Sequence, residues 1–178
     1  LREAKASIYA GKVKIDGVVR KSLHHAIGLM DVIELENVSD IYRLVPTEGK
    51  ILKPIKINES EKSKKLVRVV TKTSINKETT QTGFHDGRST LAEVKASVGD
   101  TCVMQIPDQK ILDIIKLEAG CQGLVIRGIN AGQIGKVESV EEGTFILPKR
   151  VILILGDKKI EIQADIIMPI GKEEPVIQ

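Results

Sequence analysis

GLVIRGINAGQIGKVESV, residues 123–140, decides how the chain is read. Leu124, Val125 and Ile126 make a short apolar run. Gly128, Gly132 and Gly135 fall within one loop, and Lys136–Val140 resumes period-two alternation. The pattern predicts a strand, a tight glycine-rich loop and a second strand. Glycines at such spacing serve where the backbone takes φ > 0 or approaches another chain closely. A phosphate-cradling nucleotide loop would need a helix right after it, and a Lys-Ser or Lys-Thr pair or an acidic ribose clamp. Lys136 is instead followed by Val137 and a strand-like segment, so a nucleotide site is set aside.

C-terminal to this hairpin, Thr144–Leu147 reads as strand up to Pro148. Arg150–Leu155 is an apolar run, Gly156–Asp157 turns it, Lys159–Ile162 returns, and Ile166–Met168 closes the set before Pro169. Short, evenly punctuated strands predict a closed barrel. Lys149, Arg150, Lys158 and Lys159 are its other cations, and residues 173–178 are expected to form a frayed polar tail.

At the other end, Leu1–Ala10 reads as a helix stopped by Gly11. Lys12–Ile15 alternates, Asp16–Gly17 is a two-residue hairpin turn into Val18–Arg20, and a third strand covers Asp31–Glu36. Over residues 1–30 the cations Arg2, Lys5, Lys12, Lys14, Arg20 and Lys21 face only Glu3 and Asp16. Several cations on one small surface suit a polyanion; a solvated basic face is the plainer alternative.

Between these ends no helix is expected from residue 37 to 118. Strands are read at Tyr42–Val45, ending at Pro46, at Leu66–Thr71, at Thr101–Ile106 and at Ile111–Leu117. In the second of these, Arg68 and Lys72 share one face and Val67, Val69 and Thr71 the other. Asp86–Gly87 is a further hairpin turn, and Glu59–Lys65 a charged turn. Phe84-His85-Asp86-Gly87-Arg88 invites a catalytic reading, but adjacent residues on a tight turn rarely converge on one point. Nor does spacing place a Ser or Cys nucleophile.

Composition narrows the function. Aromatic residues are 2% of the chain, with two tyrosines, two phenylalanines and no tryptophan, too few for a base-stacking platform. Nucleic-acid binding would therefore run through phosphates, sugar hydroxyls and shape, which a net charge of +3 permits. Cys102 and Cys121 read as buried free thiols, without the spacing partners of a zinc site. No apolar run approaches the ~20 residues of a membrane span.

VIRGINAGQIGKV resembles the KOW motif of ribosomal proteins and transcription elongation factors, with Gly128, Gly132, Gly135, Lys136 and Val137 in place. Ile129, Ala131 and Gln133 stand where many members carry cations, leaving Arg127 and Lys136 charged. REAKASIYAGKVKIDGVVRKSLHHAIGLMDVIEL resembles the alpha-L RNA-binding motif, best in the form found in the archaeal and eukaryotic S4e family of small-subunit ribosomal proteins. KSLHHAIG departs from that family's more polar and aromatic stretch, and the family's leading helix and basic extension are absent. With Leu1 in place of Met, the chain is read as truncated at its N-terminus. His85–Arg88, Gly99–Thr101 and Ile106–Gln109 resemble segments of the S4e middle domain, in order.

The resemblance implies a mainly β protein, α+β at its N-terminus. It would comprise an alpha-L segment (1–37), a middle β domain (38–118), a Src-homology-three-like KOW barrel (119–172) and the tail. It further implies a non-enzymatic structural constituent of the small ribosomal subunit, cytoplasmic and of archaeal type, without cofactor or metal. Its partners would be ribosomal RNA and neighbouring ribosomal proteins, with no membrane and no small-molecule substrate. Arg2, Lys5, Lys12, Lys14, Arg20, Lys21, Arg88 (with His85 beside it), Arg127 and Lys136 would lie near RNA. Two rivals are a KOW-containing transcription or translation factor that binds a protein, and an accessory domain of an RNA-modifying enzyme.

Overall fold

The structure, a computed structural model, describes residues 1–36, 38–48, 50–75, 79–156, 158–172 and 174–176. Asp157 of the expected turn, and Glu173, Ile177 and Gln178 of the expected tail, lie outside the described residues. Helix α1 (Arg2–Tyr9) ends as its glycine predicts. Gly11 has φ +76°, its N–H donates to the Ile8 carbonyl, and the Lys12 N–H reaches back to Ser7, the paired bonds of a Schellman stop. No residue of α1 is buried.

Three five-stranded sheets follow in chain order, every strand pairing antiparallel. The first holds β1 (Val13–Ile15), β2 (Val18–Val19), β3 (Val32–Leu35), β4 (Ile41–Thr47) and β5 (Lys50–Ile57), in the order β2-β1-β3-β4-β5. The β1–β2 turn has φ +51° at Asp16 and +76° at Gly17, the left-handed pair that a two-residue hairpin requires. The expected domain boundary at residue 37 falls inside this sheet, because β4 pairs with β3 and β5 with β4. The strand read at Tyr42–Val45 runs on through Pro46, and β5 is a strand the sequence reading did not place. Pro46 lies within β4 at a register shift, and Pro54 lies in β5 on the sheet's edge, two places where a missing N–H is tolerated.

The second sheet contains β6 (Lys64–Ser74), β7 (Thr80–Phe84), β8 (Ser89–Thr90), β9 (Thr101–Gln105) and β10 (Lys110–Ile115), ordered β10-β9-β6-β7-β8. Strand β6 is central, and from Lys65 to Val69 both its faces are buried. Arg68, on the face opposite Val67 and Val69, is therefore buried as well. Lys72 does not share its side. A register shift between Val69 and Thr71 inverts the alternation, and Lys72 donates to the Val94 and Ala96 carbonyls.

The third sheet contains β11 (Gln122–Val125), β12 (Ile134–Glu141), β13 (Arg150–Leu155), β14 (Lys158–Gln163) and β15 (Ile167–Gly171), ordered β14-β13-β12-β11-β15. It bends around Val125, Val137, Val151, Leu153 and Ile167, and the 3-10 turn Ala164–Ile166 joins the end strands. Thr144–Leu147 is a turn and not the expected strand: the Thr144 N–H donates to the Leu147 carbonyl. The tail is held where it is described, with Pro175 bridged to Gly171 and the Val176 N–H bonded to Ile170.

One apolar cluster joins the sheets. Met30 precedes β3, Leu66, Val103 and Ile115 come from the second sheet, and Leu124, Met168 and Ile170 come from the third. Burying these side chains together stabilises each sheet through its neighbours as well as through its own ladder.

Candidate nucleic-acid interface

The cations separate by burial. Lys65, Arg43 and Arg68 are buried and all are engaged. Arg43 donates to the Glu61 and Lys64 carbonyls and pairs with the Glu61 carboxylate at 3.2 Å. Arg68 donates to the Ala164 carbonyl at 3.1 Å, tying β6 to the third sheet. By contrast Arg2, Lys5, Lys12, Lys14, Lys21, Arg127 and Lys136 are exposed, and none has an ion pair among the described residues.

Pairing register places the N-terminal cations. Lys14 lies opposite Val19 on β2 and Glu34 on β3. The Arg20 N–H bonds the Val13 carbonyl, so Lys12, Lys14 and Lys21 share one face, while Arg20 belongs with Val13 and Ile15 on the other. Glu34 and Glu36, which the count over residues 1–30 left out, stand across from Lys14 and Lys12 on the lysine face. The Lys21 side chain lies over Gly11, beside the C-terminal end of α1, where a cation meets the negative pole of the helix. Arg2 and Lys5 are one turn apart on α1. Arg127 lies in the glycine-rich loop, near enough to Arg68 that the two like charges oppose each other, and Lys136 is on β12.

Arg88 is placed differently from the rest. It is half-buried, with its guanidinium 2.6 Å from Asp16 and 3.5 Å from Asp86. His85 is equally engaged: Nδ1 accepts the Arg68 N–H at 3.0 Å, so the proton sits on Nε2, which donates to the Leu29 carbonyl at 3.2 Å. Burial pushes the His85 pKa below its ordinary value despite that bond.

Both residues belong to a charge cluster that sequence reasoning missed. Lys65, 1% exposed, contacts Asp16 at 2.7 Å, Asp31 at 2.6 Å and Asp86 at 3.1 Å. Asp16 also accepts the Val32 N–H, and Asp31 the Gly28 N–H. Burial alone would lower the Lys65 pKa, but Asp16 and Asp31 outweigh it and hold the ammonium above its ordinary value. Burial would likewise raise the Asp86 pKa, but Lys65 and Arg88 keep the carboxyl below its usual range. The cluster lines a cleft of about 410 Å³ where the first and second sheets meet, and Arg20 brings its cations level in number with its carboxylates. One signal was present: Lys65 falls two and four residues before the buried Val67 and Val69, on their side of β6. Both cysteines are buried free thiols, and burial pushes the Cys102 pKa up to about 11.

Residues 38–111 match the model of ribosomal family S4e. The small ribosomal subunit protein eS4 of Staphylothermus marinus is 38% identical over 189 residues, covering 99% of this chain and 74% of that protein. The chain belongs to the S4e ribosomal protein family. Its S4e relative from Methanothermobacter thermautotrophicus, also a small ribosomal subunit protein eS4, is 36% identical over 177 residues, with 99% and 73% covered. The crystal structure of the 30S ribosomal protein S4e from Thermoplasma acidophilum superposes with a TM-score of 0.82 at 29% identity, covering 96% of this chain and 86% of that one. The mainly β architecture is thus that of an S4e protein. Among the described residues no helix is long and apolar enough to cross a membrane.

Proposed function

We propose that the chain is a structural constituent of the small ribosomal subunit. In this reading it binds folded ribosomal RNA with Arg2, Lys5, Lys12, Lys14, Lys21, Arg127 and Lys136, and also contacts neighbouring ribosomal proteins. The observation that carries the proposal is the division of cations on an S4e fold: Lys65, Arg43 and Arg68 inside are all engaged, and these seven on the surface have no ion pair among the described residues. An exposed, unpaired Lys or Arg can displace a counterion from a phosphate without first breaking a bond. Arg20 faces the cleft, and Arg88 keeps the β7–β8 turn on Asp16; their part is to hold the frame. The role involves no reaction. His85, Asp86 and Arg88 spend their polar atoms on one another's supports, on Lys65 and on the backbone.

Binding to small-subunit ribosomal RNA should weaken by roughly 10³–10⁵ between 50 and 200 mM salt if ~6–10 phosphates are engaged. Lys12→Ala, Lys14→Ala and Lys21→Ala combined should flatten that salt slope and leave the melting temperature nearly unchanged. A flat slope for the native chain would overturn the reading.

A further inference from the structure

Between β12 and β13, residues 142–149 form a turn that the RNA reading does not use. At its tip Phe145 and Ile146 are 107% and 86% exposed, and Leu147 is 49% exposed. Consecutive exposed apolar residues are rare in a free-standing protein unless something covers them. The tip is also ordered. The Thr144 N–H bonds the Leu147 carbonyl at 2.8 Å, and the Leu147 N–H returns to Thr144 Oγ1 at 3.2 Å. A Cβ on Gly143 would stand 2.7 Å from the Lys149 nitrogen, so the loop is closed tightly at its base. A turn already fixed loses little freedom on binding.

Charge selects the occupant. Lys149 is paired with Glu142 at 2.7 Å and Arg150 with Glu161 at 2.5 Å, so the cations flanking the tip are neutralised within the chain. That is the reverse of Arg127 and Lys136, and it offers a phosphate backbone nothing to hold. Ile146 and Leu147 have no ring to stack on a base, whereas Phe145 can bury about 150–250 Å² in an apolar pocket. We infer that the 142–149 turn is a docking knob whose Phe145 and Ile146 insert into an apolar pocket on a neighbouring protein of the same particle. The inference rests on the reading of the chain as a small-subunit constituent, and it names the surface that meets a protein instead of RNA.

The test replaces Phe145 with photoreactive p-benzoylphenylalanine in the full chain, incorporates it into small ribosomal subunits, and irradiates the purified particles. The expected product is an adduct to one other protein that survives nuclease digestion. An adduct carrying nucleotides, an adduct to a second copy of this chain, or no adduct in particles that contain the chain would each overturn the knob. The unaltered chain is assayed in parallel: its failure to enter particles would overturn the ribosomal reading beneath it. Phe145→Ser with Ile146→Ser should leave RNA affinity and melting temperature as they are and raise loss from salt-washed particles on the order of tenfold. Unchanged retention of that variant would also overturn the proposal.

Discussion

Lys65 is in contact with three carboxylates in a place water barely reaches. Removing its ammonium leaves Asp16, Asp31 and Asp86 facing one another, with Arg88 the remaining ion-pair partner of Asp16 and Asp86 among the described residues. Lys65→Ala should therefore destabilise the fold by about 3–5 kcal/mol in urea unfolding. Lys12→Ala, exposed and without an ion pair among the described residues, should stay within about 0.5 kcal/mol. His85 gives a pH dependence of defined sign. Its folded pKa is depressed, so its contribution is fully present above the unfolded imidazole value of ~6.5 and is lost as pH falls through the lower folded value. Asp86, held below its own ordinary value, remains ionised over that interval. The melting temperature should fall from pH 7 to pH 5, and His85→Gln should shrink that fall, since an amide can accept from Arg68 and donate to Leu29 without titrating.

At the scale of elements, the glycine-rich loop shows two uses of the same residue. Gly128 has φ +90° and open space where a side chain would go. Gly132 has φ +85°, and a Cβ there would stand 2.6 Å from the Pro46 carbonyl oxygen and 2.9 Å from the Thr47 Cα on β4. Gly128→Ala meets only the backbone penalty and should cost about 1 kcal/mol. Gly132→Val adds a steric clash between the third sheet and the first, so its thermal stability should drop well beyond that of Gly128→Ala. The need for glycine at 132 was legible as a backbone requirement. That it also admits a strand about 85 residues earlier in the chain was not, because nothing in a local pattern names a distant neighbour.

For the molecule as a whole, the shared apolar cluster couples the sheets, beside the clusters that the second and third hold of their own. Leu66, 1% exposed, packs with residues from all three sheets. Leu66→Ala should destabilise by about 2–5 kcal/mol. Far-ultraviolet circular dichroism and a probe in the third sheet should report the same single transition in the native chain; separate transitions would mean the sheets melt independently.

What local chemistry decides, the sequence determined by itself: the Gly11 stop, the Asp16–Gly17 hairpin, the glycine-rich loop and the strand-rich build all follow from φ preferences and side-chain period. Its ordered motifs also carried the family. Only the tertiary structure decided which charges work inside and which outside. Lys65 and Lys64 are neighbours in one charged run, yet the first is buried among carboxylates and the second is exposed. Likewise Phe145, apolar enough to read as core, stands in solvent. Burial is a property of what the rest of the chain brings near, and a charge or a ring acquires its role only once those neighbours are in place.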